Sequence, residues 1–198
     1  IATAGLGDVY KDRGLCPRAI SSLFRGISSV SEVERAEVKV RVSYMEIYNE
    51  RIFDLLADLS APETRTEYTI AEEKGGRGIF VRGLTEIQVQ TEQDALNLLF
   101  SGELGRTTAQ HKLNRRSNRS HSIFTVYIQQ RSRSGVSEKV ITSKMHLVDL
   151  AGSERLKKTL DAEDGTAVDD TLKKESMYIN QSLTYLEQCV VALSSKGK

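Results

Sequence analysis

Two kinds of hydrophobic spacing in the first part of the chain predict a helix followed by a strand. Apolar side chains alternate with polar ones from Val38 to Tyr44, which is the period of a strand with one buried face. Residues 17–28 instead carry apolar residues three and four positions apart, and Pro17 suits the first turn of a helix. The order predicts an amphipathic helix that packs on a sheet.

A second helix and a hairpin are predicted in the middle of the chain. Thr91 and Asp94 have the spacing of a capping box, and residues 92–104 follow with a buried stripe of helical period. Strands near 122–130 and 138–149 come next, joined by a polar turn. We expect them to form an antiparallel hairpin that connects the polar segments at its open end.

The last predicted helix has a narrow apolar seam. Its members alternate in spacing between four and three: Ile179, Leu183, Leu186, Val190 and Leu193. We expect this seam to cover the sheet and the polar stripe beside it to face outward. Residues 155–173 are predicted as the longest irregular stretch, and residues 74–83 as a glycine-rich hairpin.

Composition indicates one globular unit or part of one. The chain has 198 residues, of which 39% are hydrophobic and 28% charged. It contains no apolar run of about 18 residues, so no membrane partner is expected. Cys16 and Cys189 lie far apart, which favours a reduced, cytoplasmic protein whose two thiols pack in the interior. The three histidines lack the spacing of a zinc site.

Charge offers no general argument for a polyanionic partner, because the formal net charge is +1. Residues 105–119 form a local basic segment without an acidic residue, and a solvated basic turn is one interpretation of it. Aromatic residues are not interleaved with these charges, and no nucleic-acid motif is visible. We therefore expect no nucleic acid as a partner.

A carboxylate at the end of a predicted strand is the first candidate for chemistry. An apolar stretch from Val140 to Val148 stops at Asp149, and Gly152 follows in an Asp-x-x-Gly turn. The end of a buried strand is where α/β sheets place ligand chemistry. In phosphoryl-transfer sites such an Asp holds Mg²⁺, and the Gly offers a backbone N–H to the terminal phosphate. A polar strand end before a glycine turn is the simpler alternative.

A second polar segment precedes the hairpin and strengthens this interpretation. Asn114, Ser117 and Ser120 offer amide and hydroxyl groups that suit phosphate oxygens or the water shell of a metal. Arg119 can pair with Glu154 when the two segments approach each other. Two segments that close around a terminal phosphate are a recurring switch.

Four ordered motifs resemble the kinesin motor domain. Residues 114–124 are similar to its first switch and residues 147–155 to its second. Residues 42–50, followed by Asp54-Leu55-Leu56, resemble a strand and turn of the family, and residues 179–183 resemble the start of its main microtubule-facing helix. The resemblance implies a three-layer α/β/α P-loop NTPase motor fold with a central mixed sheet, incomplete here. It covers essentially the whole chain and looks most like the ninth kinesin class, which is associated with cilia and flagella.

The resemblance also implies site residues, cofactors and a partner. ATP and Mg²⁺ are the implied cofactors, and the microtubule is the implied partner. Catalytic roles are implied for Ser117, Asn118, Arg119, Gly152 and Glu154. ATP contacts are implied for Asn114, Ser117, Asn118, Ser120, Asp149 and Gly152, and Mg²⁺ contacts for Asn118 and, through water, Asp149. Microtubule contacts are implied for Lys74, Arg77, Arg82, Arg155, Lys157, Lys158, Lys173, Lys174, Asn180, Gln181 and Tyr185.

The chain departs from the family in ways that leave a second function open. The phosphate-binding Gly-x-x-x-x-Gly-Lys-Ser/Thr motif is not found, so residues 1–198 are expected to be an internal part of a motor domain without independent ATP turnover. Asn118 stands where the family usually has Ser, and Gln181 where it usually has Lys. A non-motile microtubule-binding component is therefore the alternative, with a guanine-nucleotide switch disfavoured. The expected location is the cytoskeleton, in the cilium or flagellum axoneme, with dimerisation through segments outside this chain.

Overall fold

In the computed structural model, one antiparallel sheet carries helices on its two faces. The structure describes residues 14–34, 37–57, 68–75, 78–110, 119–131, 140–152 and 170–195. The helices are α1 (Leu15–Glu34), α2 (Glu92–Gln110) and α3 (Asp170–Ser195). The strands are β1 (Glu37–Tyr48), β2 (Arg51–Asp54), β3 (Thr69–Glu72), β4 (Ile79–Arg82), β5 (Ile87–Val89), β6 (His121–Arg131) and β7 (Val140–Asp149).

Strand β1 is the centre of the described sheet. It pairs with β6 along one edge and with β2 and β5 along the other, and β6 pairs in turn with β7. Val42 lies opposite Val126, and Val126 lies opposite Met145, so apolar residues of three strands line up in one row. The predicted hairpin of β6 and β7 is confirmed, and its register sets Ser122 opposite Asp149.

The core lies between this sheet and helices α1 and α2. One face of β1 buries Val40, Val42 and Tyr44, as the alternation predicted. Against them pack Ile20 and Phe24 from α1 and Ala95, Leu96 and Leu99 from α2. Full burial of such a side chain stabilises the fold by about 1.5–3 kcal/mol. The amphipathic helix predicted over 17–28 is therefore confirmed, and in the structure it extends from Leu15 to Glu34.

The predicted capping box begins α2. The backbone N–H of Asp94 donates to Thr91 Oγ1 at 3.1 Å, and the N–H of Thr91 donates to Asp94 Oδ2 at 2.9 Å. A third donor, the N–H of Gln90, lies 3.1 Å from the same carboxylate oxygen. A hydrogen bond from the Thr91 side chain to the carboxylate, followed by those from the N–H groups of Gln90 and Thr91, lowers the pKa of Asp94. The reciprocal bonds satisfy donors that a helix start otherwise leaves unpaired.

Helix α2 approaches β1 closely at Gly102. A Cβ atom added there would lie 2.3 Å from Cδ1 and 2.7 Å from Cε1 of Tyr44. The Tyr44 ring is buried and packs edge-on against Phe124, with ring centroids 5.4 Å apart. Its hydroxyl donates to Glu103, the residue after Gly102. The absence of a side chain at Gly102 therefore allows α2 to pack directly against the Tyr44 ring of the sheet.

Two short strands, β2 and β5, were not predicted from the sequence and extend the β1 edge. Asn49 and Glu50 turn the chain between β1 and β2 with φ of 50° and 60°, as two-residue hairpins with the right-handed strand twist require. Beyond β2, Asp54 accepts hydrogen bonds from the N–H groups of Leu56 at 2.9 Å and Thr85 at 2.7 Å. The carboxylate thus joins the turn to the segment that leads into β5.

Strands β3 and β4 form a separate two-stranded lobe. Thr69 lies opposite Arg82, and Gly75 adopts a φ of 88° in the connecting turn. The ammonium group of Lys144 on β7 donates to Glu73 at 2.7 Å, which attaches the lobe to the sheet. The glycine-rich hairpin predicted over 74–83 is confirmed as the turn of this lobe and its second strand.

Helix α3 lies on the other face of the sheet. Ser122 and Phe124 of β6 point toward α1 and α2, so His121 points the opposite way, and its ring contacts Ser182 of α3. The three-layer prediction is therefore confirmed. The predicted coverage of the sheet by the whole α3 seam is wrong, because Val190 is 58% and Leu193 72% exposed. The helix also begins at Asp170, inside the stretch predicted to be irregular.

Both cysteines are described, and their environments differ. Cys16 is half-buried against the core, and burial is the first cause of its raised thiol pKa. Cys189 on α3 is exposed, so the prediction that both thiols pack in the interior is wrong for this one. Within the described ranges, the structure contains no helix that is long and apolar enough to cross a membrane.

Candidate functional site

Asp149 ends strand β7 at the open end of the β6–β7 hairpin. Its side chain is 69% exposed, and most residues of the strand that it ends are exposed as well, so the expectation of a buried strand is wrong for β7. Because directly paired residues point to the same face, Asp149 and its partner Ser122 both face the side of helix α2. The carboxylate is thus accessible to solvent at the strand end where the sequence predicted phosphate chemistry.

A buried arginine holds this carboxylate. Arg106 of α2 is 3% exposed, and its Nη1 donates to Asp149 Oδ2 and to Ser122 Oγ, each at 3.1 Å. Its Nη2 donates to the carbonyl oxygen and to the Oγ of Ser120, each at 3.3 Å. One guanidinium group therefore binds Ser120 of the first predicted switch and Asp149 of the second.

Two more carboxylates surround the same guanidinium group. Glu46 of β1 is buried, accepts a hydrogen bond from Ser120 Oγ at 2.6 Å, and lies 3.5 Å from Arg106 Nε. Glu103 lies 3.8 Å from Arg106 Nη1. Among the described residues, three carboxylates therefore lie close to one guanidinium group, and that of Asp149 is the most exposed of the three.

Burial and hydrogen bonding act in opposite directions on Arg106. Burial, the largest influence, disfavours the charged form, but the hydrogen bond to Asp149 and the negative charges of Glu103 and Asp149 outweigh it and raise the pKa of Arg106. Burial and the hydrogen bond to Glu103 likewise raise the pKa of the Tyr44 phenol. The guanidinium group therefore remains charged at all relevant pH values, and Asp149 is always faced by a cation.

A histidine occupies the opposite face at the same end of the hairpin. The N–H of Ala151 donates to His121 Nδ1 at 3.1 Å, and His121 Nε2 lies 2.8 Å from Ser182 Oγ on α3. Burial, followed by the positive charge of Arg106, lowers the pKa of His121. The ring therefore stays neutral at physiological pH, which its role as acceptor of the Ala151 N–H requires.

The structure brings some of the predicted nucleotide-site residues together. Ser120 and Asp149 both accept hydrogen bonds from Arg106. Gly152 directly follows Ala151, whose N–H donates a hydrogen bond to His121. Arg119 is half-buried directly before Ser120. The roles of all the nucleotide-site residues stay predictions, and four of these residues lie outside the described part of the chain: Asn114, Ser117, Asn118 and Glu154.

The residues predicted to contact a microtubule fall on the β3–β4 lobe and on α3. Lys74 and Arg82 are exposed on the lobe, and Lys174, Gln181 and Tyr185 are exposed on α3. Gln181 Nε2 donates to the Tyr185 hydroxyl at 3.1 Å. Asn180 is half-buried and donates to the Ser176 carbonyl at 2.9 Å, and Lys173 lies within α3. Outside the described residues lie Arg77, Arg155, Lys157 and Lys158.

Sequence reasoning missed the group that organises this site. Arg106 belongs to the basic segment of residues 105–119, but in the structure it is buried beside the buried carboxylate of Glu46. One signal could have indicated it. Glu46 continues the alternation of Val40, Val42 and Tyr44, so it lies on the buried face of β1 and needs a positive or hydrogen-bonding partner.

Comparison with known proteins agrees with this geometry. The family model of the kinesin motor domain matches residues 5–198. The chain belongs to the kinesin motor-domain family. A kinesin-like protein KIF9 from Mus musculus is 45% identical over 195 residues, and kinesin-like protein KLP1 from Chlamydomonas reinhardtii is 45% identical over 193 residues. Each match covers 98% of this chain, and the chain spans 23% of the length of each relative.

Solved kinesin structures share the fold. One, described as the structure of a fast kinesin with implications for its ATPase mechanism and its interactions with microtubules, is 37% identical with a TM-score of 0.66. That match covers 82% of this chain and 42% of the solved chain. The motor domain of a Kar3-like kinesin from Ashbya gossypii is 26% identical with a TM-score of 0.66, and covers 92% of this chain and 47% of the solved one. The predicted kinesin fold is confirmed.

Proposed function

We propose that the protein to which this chain belongs is a microtubule motor that couples ATP hydrolysis to microtubule binding and movement. Membership of the kinesin family supports the reaction class. The observation that carries the proposal is that Arg106 binds Ser120 and Asp149 at once, because this holds the two predicted switch segments at one end of one hairpin. Segments so joined can respond together to a single phosphate group.

The residues present suit a magnesium nucleotide. Mg²⁺ retains several waters and uses few carboxylates beside substrate phosphates, which fits one exposed carboxylate at a strand end. Asp149 would hold the ion through water with Asn118 as a further contact, and the ion would neutralise charge on the phosphates. The backbone N–H of Gly152 would bind the terminal phosphate, and Asn114 and Ser117 would close over it, while Ser120, which is buried and donates to Glu46, would hold their segment in place. Arg119 would pair with Glu154 when the segments close.

Microtubule binding would use the surfaces that lie away from the core. Helix α3 exposes Lys174 beside Gln181 and Tyr185, and the lobe exposes Lys74 and Arg82. The two surfaces would contact an acidic filament through local charge, since the chain as a whole is nearly neutral. These contacts weaken with salt because exposed charges are screened over about 8 Å at physiological ionic strength.

The test is ATP turnover by the intact protein with and without microtubules. We expect microtubules to stimulate turnover, and Asp149→Asn to reduce the stimulated rate on the order of 100-fold, because a group that positions transition-state charge is lost. Glu37→Gln is the matched control, since Glu37 lies at the far end of β1 beside Lys39. Stimulated turnover that is equal in wild type and Asp149→Asn would contradict the proposed site.

A structural microtubule-binding component is the second candidate. Asn118 and Gln181 favour it, because each replaces a residue that kinesins usually carry at that position. Such a protein would bind microtubules with equal affinity in ATP and ADP and would show no stimulated turnover. A gliding assay on the intact protein separates the two candidates, since filament movement requires a motor.

The proposed location is the axoneme of a cilium or flagellum. Similarity to KIF9 and KLP1 supports this location, because it agrees with the class that the sequence resembles. Imaging of the tagged full-length protein in ciliated cells tests it. A signal on cytoplasmic microtubules without signal in the axoneme would overturn the location and leave the proposed motor activity standing.

A further inference from the structure

His121 links two parts of the chain that residues 153–169 separate in sequence. On one side lies the turn that starts at Asp149 and contains Ala151 and Gly152. On the other side lies helix α3, which begins at Asp170. The imidazole ring contacts both through one hydrogen bond at each of its nitrogen atoms.

The direction of these hydrogen bonds follows from their partners. The N–H of Ala151 can only donate, so His121 Nδ1 accepts and carries no proton. Ser182 Oγ donates its own proton to the Ile179 carbonyl at 2.8 Å. It therefore accepts from His121, whose Nε2 carries the ring proton. Both ends of the ring thus require the same tautomer.

We propose that His121 is a positioning residue that transmits displacement of the Asp149–Gly152 turn to helix α3. The inference rests on the proposed function and deepens it, because it names a connection between the nucleotide site and the filament-facing helix. If the turn shifts to bind a terminal phosphate through Gly152, the Ala151 N–H shifts with it. The His121 ring must then move with Ala151 or lose its hydrogen bond to the Ala151 N–H. Because the other side of the ring is bonded to Ser182, a movement of the ring displaces α3 at Ser182.

The position of the ring suits this role. His121 is the first residue of β6, so its backbone is held by pairing with Ile47 on β1. Ser122, the next residue, is held on the other face by Arg106. The ring therefore extends from a fixed strand end and has little freedom to rotate without losing both partners.

Two substitutions at His121 each preserve one of the hydrogen bonds. An Asn side chain places an oxygen near the position of Nδ1 and keeps the acceptor for Ala151, but it does not reach Ser182. A Gln side chain places its amide nitrogen near the position of Nε2 and keeps the donor to Ser182. Ser182→Ala removes the link from the helix side and leaves the Ala151 bond in place.

The chain contains a matched control for Ser182→Ala. Ser194 of α3 donates to the Val191 carbonyl at 2.8 Å, which is the same local bond that Ser182 makes to Ile179. Ser194 is exposed. Ser194→Ala therefore reproduces the loss of the local helix bond without loss of a bond to His121.

The measurement is the ratio of microtubule dissociation constants of the intact protein in ADP and in a non-hydrolysable ATP analogue. We expect His121→Asn and Ser182→Ala each to reduce this ratio about fivefold, the effect of about one hydrogen bond. The double variant His121→Asn/Ser182→Ala should reduce this ratio no further than either single variant, because both substitutions remove the same hydrogen bond. Ser194→Ala should keep the wild-type ratio.

Each result decides the proposal. A wild-type ratio in both His121→Asn and Ser182→Ala, with microtubule-stimulated turnover intact, would overturn the link and leave the proposed function standing. A wild-type protein whose microtubule affinity is equal in both nucleotides would instead overturn the proposed function, and the link with it. Ser182→Ala removes one half-buried hydroxyl, so it supplies the test even if the His121 variants do not fold.

Discussion

Arg106 Nη1 lies 3.1 Å from Asp149 Oδ2, so a carboxylate at a strand end is held by a guanidinium group buried in helix α2. The same guanidinium group lies beside the buried carboxylate of Glu46. The arginine therefore has a structural and a chemical role. It compensates the charge of the buried Glu46 carboxylate, and it orients the Asp149 side chain that the proposed site needs.

Loss of Arg106 should destabilise the motor domain strongly. Arg106→Met keeps much of the side-chain volume but removes the guanidinium group from beside the buried Glu46, and we expect a loss of about 3–5 kcal/mol in the free energy of unfolding. The measurement is urea unfolding of the intact motor domain. Arg82→Met is the control, because Arg82 is exposed on the lobe.

A double variant tests the cause of that loss. Adding Glu46→Gln to Arg106→Met removes the buried negative charge that Arg106 faces, so we expect it to restore part of the lost stability. If Arg106→Met were no more destabilising than Arg82→Met, the guanidinium group would not be compensating Glu46.

Gly102→Ala should weaken the attachment of α2 to the sheet. A methyl group there would overlap the Tyr44 ring, which is buried and cannot swing away like the end of a flexible side chain. We expect a cost of about 1–3 kcal/mol, as for other overpacked cores. Gly105→Ala is the matched control, because its added Cβ meets no atom within 4 Å.

The control variant Gly105→Ala should itself change the stability of the motor domain. Ala favours a helix interior over Gly by about 1 kcal/mol, so Gly105→Ala should stabilise the motor domain. Thermal unfolding of both variants gives the comparison. Equal melting temperatures for the two variants would show that Tyr44 yields to the added methyl group.

Removal of the α2 cap should reduce the free energy of unfolding by less than Arg106→Met or Gly102→Ala does. Thr91→Ala loses the hydroxyl that accepts the Asp94 N–H, and we expect a loss of about 1 kcal/mol in the free energy of unfolding. Thr91→Ser keeps the hydroxyl and should remain close to wild type. Urea unfolding midpoints of the two variants measure the difference, and an equally large loss in Thr91→Ser would indicate a cause other than the cap.

Acid should destabilise the fold through His121. Its pKa in the folded chain lies below the ordinary value of 6.5, so the unfolded chain binds more protons between these two values. The free energy of unfolding should therefore fall as the pH drops below about 6.5, and this contribution should be constant at higher pH.

The pH dependence can be isolated by substitution. His121→Asn cannot titrate in this range, so the difference in unfolding free energy between wild type and variant should narrow as the pH falls from 7 toward the folded pKa. Urea unfolding at a series of pH values measures it. A difference that is constant with pH would mean that His121 has the same pKa in the folded and unfolded chain.

Local patterns were sufficient to predict much of the fold. The alternation from Val38 to Tyr44 identified a strand and its buried face, and the spacing of Thr91 and Asp94 identified the start of α2. These signals involve neighbours in sequence, so the chain carries them without reference to distant residues. The short strands β2 and β5 escaped prediction because pairing with β1, rather than any local period, makes them strands.

The candidate site was predictable in its chemistry and unpredictable in its assembly. The sequence by itself determined that Asp149 ends a strand, that Gly152 follows in a turn, and that Ser120 precedes the other strand of the hairpin. Only the tertiary structure decided that Arg106 joins them and that His121 reaches Ser182. The physical reason is that a charge on a buried face requires a partner of opposite charge, but the local sequence does not indicate which residue that partner is. The register of β1, β6 and β7 brings that partner from a distant part of the chain.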